Sequence, residues 1–157
     1  MPDDEMFAEQ TAGYASSDAL LLGRRTYDVF AASWPQRGSD VPNADWMNNT
    51  RKFVASTTLE WPEWQNTTVL EEDISEAVSR LKQEDGETIT LNGSATLLRT
   101  LLAARLVDEL VLFLHPVVLG AGGQLFAHGQ GLSSLKLVNC HPYKNGVVSL
   151  SYQPTAR

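Results

Sequence analysis

Two stretches of the chain put a glycine and small hydroxylated residues where an apolar run gives way to a helical pattern. In the first, Leu20-Leu21-Leu22 stops at Gly23, and Arg24, Arg25 and Thr26 follow. In the second, Ile89-Thr90-Leu91 leads into Asn92, Gly93, Ser94, Ala95 and Thr96. A helix start carries unpaired backbone N–H groups and the positive end of the macrodipole, so it attracts phosphate. Glycine lets a ligand approach the backbone closely. Hydroxyls add donors, and guanidinium groups fork onto phosphate oxygens. Two such turns on one sheet would hold the two ends of a pyrophosphate. Each glycine alone equally permits nothing more than a tight strand-to-helix turn. A third hydroxyl cluster, Ser56, Thr57 and Thr58, ends the run Val54-Ala55. Open α/β sheets bind ligands at the carboxyl ends of their strands, although a simple Ser/Thr turn has the same composition.

Other chemistries fail on spacing. His115, His128 and His141 show no metal-ligand pattern, and neighbours Cys140 and His141 would point to opposite faces of a strand. Gly93-Ser94-Ala95 lacks the second glycine of a hydrolase nucleophile elbow. No Gly-Lys-Ser/Thr follows the glycines at 120, 122 and 123, so they do not form a Walker-type loop; they shape a crevice or close a tight loop over the core. Trp34, Trp46, Trp61 and Trp64 read as core and lid packing, and Asp108-Glu109 as a solvent-edge strand start. No residue stands out as a general acid, and the catalytic residues are unassigned.

These residues need elements to position them. Spacing predicts a helix over 4–16, with Met6, Phe7, Gln10 and Tyr14 on one side and Asp3 or Asp4 as cap. A strand at 18–22, a helix at about 25–32 and a loop at 37–45 follow, then one or two helical turns over 44–50 and a strand at 52–57. After a strand in 67–72, residues 73–86 give the clearest helix. Its apolar stripe is Ile74, Ala77, Val78 and Leu81, Asp73 with Glu76 imitates a capping box, and Gly86 stands at its end. Then come a strand at 88–93, a helix at 94–106 and a strong buried strand that breaks at Pro116. The tail 135–152 reads as a hairpin turning at Asn145-Gly146. The pattern is α/β with a mostly parallel sheet.

The 157 residues suffice for one domain. A net charge of -7 argues against nucleic-acid partners, and a single cysteine excludes an internal disulfide and fits a reducing, cytoplasmic setting. The acidic start is unlike a signal peptide, and no apolar run is long enough to span a membrane.

The segments 18–35, 52–59, 89–102 and 106–126, in that order and spacing, resemble the dihydrofolate-reductase-like family. The nearest branch is the RibD C-terminal family, the reductase domain of bifunctional riboflavin-biosynthesis proteins and its stand-alone relatives. The resemblance covers about residues 4–153. It implies a three-layer fold whose mostly parallel central sheet is flanked by helices and followed by an antiparallel hairpin. NADPH would lie across the carboxyl ends of the strands, and no metal is expected. Gly23, Arg24, Arg25 and Thr26 match the family's first phosphate-contacting turn. Ser56 and Thr57 match the strand end near the adenosine ribose and its 2′-phosphate. Asn92, Gly93, Ser94, Ala95 and Thr96 match the second turn, facing pyrophosphate and nicotinamide ribose. Trp34 and Pro35 match the helix end bordering the substrate pocket.

The implied activity is reduction of a small heterocycle, pterin-like or aminouracil-like, by NADPH. A module that keeps the fold and binds nucleotide without catalysis is the alternative. Homodimers are expected, through the apolar hairpin and the strand before Pro116. One departure stands out: family members begin with a strand and a Ser-Leu-Asp-Gly type of loop, whereas this sequence starts at the first helix. The strands at 88–92 and 107–114, which would flank that strand, are therefore expected to pair directly or to accept a strand from elsewhere. Little or no turnover is expected from the chain as it stands.

Overall fold

The computed structural model describes residues 4–126 and 134–155. Asp3, a candidate helix cap, and His128 lie outside them. The element order is α1 (Asp4–Ala15), β1 (Ala19–Gly23), α2 (Arg24–Ser33) with a 3₁₀ turn at Trp34–Gln36, α3 (Ala44–Asn49), β2 (Arg51–Ala55), β3 (Thr67–Leu70), α4 (Ile74–Leu81), β4 (Ile89–Leu91), α5 (Ala95–Ala103), β5 (Leu110–Leu114), β6 (Leu135–Pro142) and β7 (Val148–Pro154).

β1 is the centre of a four-stranded parallel sheet ordered β3-β2-β1-β4. Its five residues, Ala-Leu-Leu-Leu-Gly, are all buried, as a strand covered by helices on both faces requires. Ala19 and Leu21 face a layer made by α4 and α5, joining Phe53, Leu70, Val78, Leu97 and Leu101. Leu20 and Leu22 face the other way, with Tyr27 of α2, Met47 of α3, Val54, Leu59 and Trp64. Burying each leucine contributes about 1.5–3 kcal/mol. The register Leu21↔Phe53 and Leu21↔Leu91 sets the carboxyl ends of β1, β2 and β4 side by side.

α4 starts as its sequence dictates. The Asp73 carboxylate accepts from the backbone N–H of Ser75 and Glu76. It ends at Leu81, five residues before the glycine expected to terminate it, and Lys82 closes the last turn with a bond to Val78.

Lys52 is fully buried between α3 and the segment before β3. Its Nζ donates to the carbonyls of Asn48 (3.2 Å), Thr50 (2.9 Å) and Gln65 (3.1 Å) and lies 4.4 Å from the centre of the Trp64 ring. Three carbonyls match the three donors of an ammonium group. Burial works against them and pushes the Lys52 pKa down to about 8.

The second sheet is antiparallel and ordered β5-β7-β6. The hairpin turns where the Asn-Gly pair predicted it: Gly146 has φ +86° and donates to the Tyr143 carbonyl. A register shift between Leu137 and Asn139 marks a bulge in β6. β5 is less covered than its apolar sequence suggested, since Leu110 is buried while Val111 and Leu114 are exposed.

β4 and β5 are edge strands of different sheets, so of the two expected arrangements the direct pairing does not occur, and among the described residues neither edge takes up a further strand. α1 ties the two sheets together. Tyr14 and Asn92 are hydrogen-bonded, as are Ser17 and Thr90 (2.6 Å) at β4. On the far side Tyr143 and Ser149 donate to Glu9, and His141 lies 3.1 Å from Glu5. No residue of α1 is fully buried; besides these polar contacts, the Tyr14 ring packs against the core, its centre 5.0 Å from that of Trp46.

Candidate functional site

The two glycine turns touch. β1 and β4 are neighbours, so their carboxyl ends deliver the starts of α2 and α5 to one place. A Cβ on Gly23 would fall 2.5 Å from the Ser94 hydroxyl oxygen and 2.8 Å from its Cβ. A Cβ on Gly93 would fall 3.0 Å from the Thr26 hydroxyl oxygen. Each turn therefore packs its glycine against the other turn's hydroxyl residue. Gly93 has φ +67° and Ser94 φ 57°, so the backbone of the second turn is left-handed at two successive residues. Asn92 adds a backbone bond, its N–H donating to the Leu21 carbonyl at 3.3 Å.

Both helix starts favour an anion. Gly23 caps α2 without any side-chain bond, which leaves the first N–H groups free for a ligand. Ser94 Oγ caps α5 by accepting from the N–H of Leu97. Neither helix carries an acidic residue in its first turn, whereas α1, α3 and α4 each do. An acidic first turn offsets the dipole; here it acts unopposed. A cavity of about 500 Å³ adjoins the start of α5, lined by Ala95, Arg99 and Gly123-Gln124-Leu125 of the glycine loop.

The hydroxyl cluster after β2 joins the first turn through Thr58. Ser56 Oγ accepts from the N–H groups of Thr58 (3.2 Å) and Leu59 (3.1 Å), which makes it a Ser/Thr turn. Thr57 is exposed, and Thr58 Oγ1 accepts from Arg24 at 3.3 Å. Arg24 also pairs with Asp28, one helical turn further on. Trp34 and Pro35 sit elsewhere, at the opposite end of α2. Its ten residues span about 15 Å at the usual rise, so these two are not brought to the glycine turns. Trp34 packs edge-on to Phe30 with the Arg37 guanidinium over its ring.

Three residues at the site had no role assigned from the sequence. Asp28 was readable from its Arg24 spacing of four, and Thr58 stood in the cluster without a role. Tyr14 carried no signal, because its partner Asn92 is 78 residues away. Burial raises the Tyr14 pKa and the Asn92 bond lowers it, the first effect prevailing. Trp61 is also not the packing residue expected, being 84% exposed.

Among the described residues no group of three or more His, Cys, Asp or Glu side chains could hold a metal ion. No helix of the described residues is long and apolar enough to cross a membrane. Cys140 and His141 lie opposite Leu150 and Ser149, on different faces of the second sheet, as their adjacency predicts.

The chain matches the RibD C-terminal domain over residues 4–149. It is 34% identical to the uncharacterized protein YyaP of Bacillus subtilis over 139 residues, 86% of this chain and 73% of that protein. A Shewanella sp. PV-4 protein described as belonging to riboflavin biosynthesis shares the fold at a TM-score of 0.76 and 20% identity, over 92% of this chain and 78% of the other. The Thermotoga maritima diaminohydroxyphosphoribosylaminopyrimidine deaminase/5-amino-6-(5-phosphoribosylamino)uracil reductase shares it at 0.66 and 15% identity; this chain is covered over 97% and spans 49% of that one. With paired glycine turns at the carboxyl ends of adjacent parallel strands and a family match across most of its length, the chain belongs to the RibD C-terminal domain family.

Proposed function

We propose that the protein is an NADPH-dependent reductase of a small pterin-like or aminouracil-like heterocycle. The observation that carries this reading is the contact between the two glycine turns. Gly23 against Ser94 and Gly93 against Thr26 bring the backbone N–H groups and hydroxyls of the two helix starts together. The residues fit the group: glycine at 23 and 93 lets the two helix starts close on each other, α2 has no side-chain cap on its first N–H groups, and no carboxylate stands in either first turn. Gly23 to Thr26 and Asn92 to Thr96 would hold the pyrophosphate, and Arg24, Arg25, Ser56 and Thr57 the 2′-phosphate. The bound cofactor would supply the hydride, and the chain's task is to orient it and exclude water. Trp34 and Pro35 would border the substrate.

The same chain would form homodimers through its second sheet. Leu112, Leu150 and Cys140 share one face there, as do Leu110, Tyr152 and Leu137, and Leu114, Leu137, Val138 and Cys140 are exposed. A two-fold axis across this face would cover it with its own copy.

The edges of β4 and β5, unpaired among the described residues, favour a second reading, a nucleotide-binding module without turnover. Mixing the chain with NADPH and a pterin or aminouracil substrate, and following loss of the reduced nicotinamide absorbance, separates the two. Substrate-dependent oxidation supports the reductase. NADPH binding without oxidation supports the binding module, and failure to bind NADPH contradicts both.

A further inference from the structure

Arg24 and Arg25 are neighbours in sequence but are held differently. Arg24 Nε donates to both carboxylate oxygens of Asp28, at 2.9 and 3.1 Å, and its Nη1 donates to Thr58 Oγ1 at 3.3 Å. Asp28 thus occupies the Nε edge of the guanidinium, and the terminal nitrogens turn toward the loop that follows β2. Arg25 is exposed, and among the described residues its side chain has no hydrogen bond or ion pair.

A partly exposed arginine loses rotamer freedom when it grips an anion, and a side chain already fixed in place loses less. The fork of Arg24 is fixed where the β2 end, with Ser56 and Thr57, meets the α2 start. The Asp28 carboxylate works in two directions there. Its hydrogen bonds orient the guanidinium, while its negative charge repels a dianionic phosphate.

Resting on the NADPH reading above, we propose that Asp28 is the positioning residue of the 2′-phosphate subsite. Arg24, not Arg25, then separates a 2′-phosphate from a 2′-hydroxyl, and it does so because Asp28 holds its terminal nitrogens toward the β2 turn. The asparagine variant keeps an oxygen for Nε and removes the opposing charge; the alanine variant removes both.

The test is calorimetric titration with NADPH and NADH of the unmodified chain and of Arg24→Ala, Arg25→Ala, Asp28→Ala and Asp28→Asn, read as the ratio of the two dissociation constants. All three positions are at least partly exposed, so thermal unfolding should change little. Arg24→Ala should cut the preference for NADPH by about fivefold or more, and Arg25→Ala by less than about twofold. Asp28→Ala should cut it by about threefold, and Asp28→Asn should restore it to the original ratio or above. A merely structural role for Asp28 would move both dissociation constants together and leave their ratio alone. An unchanged ratio in Asp28→Ala, or loss of preference in Arg25→Ala alone, overturns the assignment while leaving the cofactor reading intact. Equal binding of NADPH and NADH by the unmodified chain overturns both.

Discussion

Replacing Gly23 by alanine tests whether the two turns interlock. Gly23 has φ -76° and ψ 159°, a conformation alanine adopts freely, so the backbone itself raises no objection. The added Cβ instead meets Ser94 at 2.5 and 2.8 Å. Ser94 must swing away, and its hydroxyl then ceases to cap α5 at the Leu97 N–H. Overpacking of this kind costs about 1–3 kcal/mol and a lost cap about 1 kcal/mol. Loss of unfolded-state freedom returns about 0.4–1 kcal/mol. The expected net loss is about 2 kcal/mol. Ser94→Gly should be nearly neutral, because glycine is a fair cap and relieves the φ of 57° at that position. In the double variant, Gly23→Ala with Ser94→Gly, the new methyl group has no serine side chain to meet, so most of the loss should disappear. Urea unfolding of the four proteins, compared at constant m, gives the coupling directly. A coupling near 2 kcal/mol supports the interlock. Additivity within about 0.5 kcal/mol would show that the turns do not touch in solution.

Three further outcomes follow from the same structure. The Lys52 pKa is lowered to about 8 against 10.5 for a free lysine, so between those values the unfolded chain binds the extra proton and stability should rise with pH. The rise from pH 7.5 to 9.5 is at most about 2 kcal/mol and should vanish in Lys52→Met; a flat or falling profile in the unmodified chain would show that the three carbonyls outweigh burial. Tyr143 is pushed up to about 12, chiefly by burial, and its loss of stabilisation belongs to higher pH, outside that window. Sedimentation should show a dimer that Leu137→Glu dissociates, and a 17.3 kDa monomer at micromolar concentration would contradict the proposed interface. On the second reading, which the edges of β4 and β5 favour, turnover is slight even with NADPH bound, and fast substrate-dependent oxidation would refute that reading in favour of the reductase.

Local chemistry was legible in the sequence, and long-range pairing was not. Asp73 caps α4 and Asn145-Gly146 turns the hairpin because both signals act within a few residues. The end of α4 was misplaced because Gly86 is only one way to stop a helix, and Lys82 closes the turn without it. The division into two sheets could not be read from residues 88–114, since either apolar strand looks the same whichever neighbour it pairs with. The exposed part of β5 was hidden for the same reason: Leu110 to Leu114 is apolar throughout, but the helices cover the parallel sheet. At the site, the composition of both turns showed anion chemistry. Their mutual contact depended on β1 and β4 being neighbours, a fact of topology. Arg24 was found by type, but its partner Asp28 was not, because an Arg–Asp spacing of four usually makes no more than a surface ion pair.

The central claim is that the starts of α2 and α5 together hold the phosphates of NADPH. Calorimetric titration of the intact chain, set beside the Arg24→Ala/Arg25→Ala double variant, tests it most directly. The unmodified chain should bind NADPH more tightly than NADH, and the double variant should lose at least about tenfold in NADPH affinity, equivalent to roughly 1.4 kcal/mol. Equal affinity for the two nucleotides, or no change in the variant, would contradict the account.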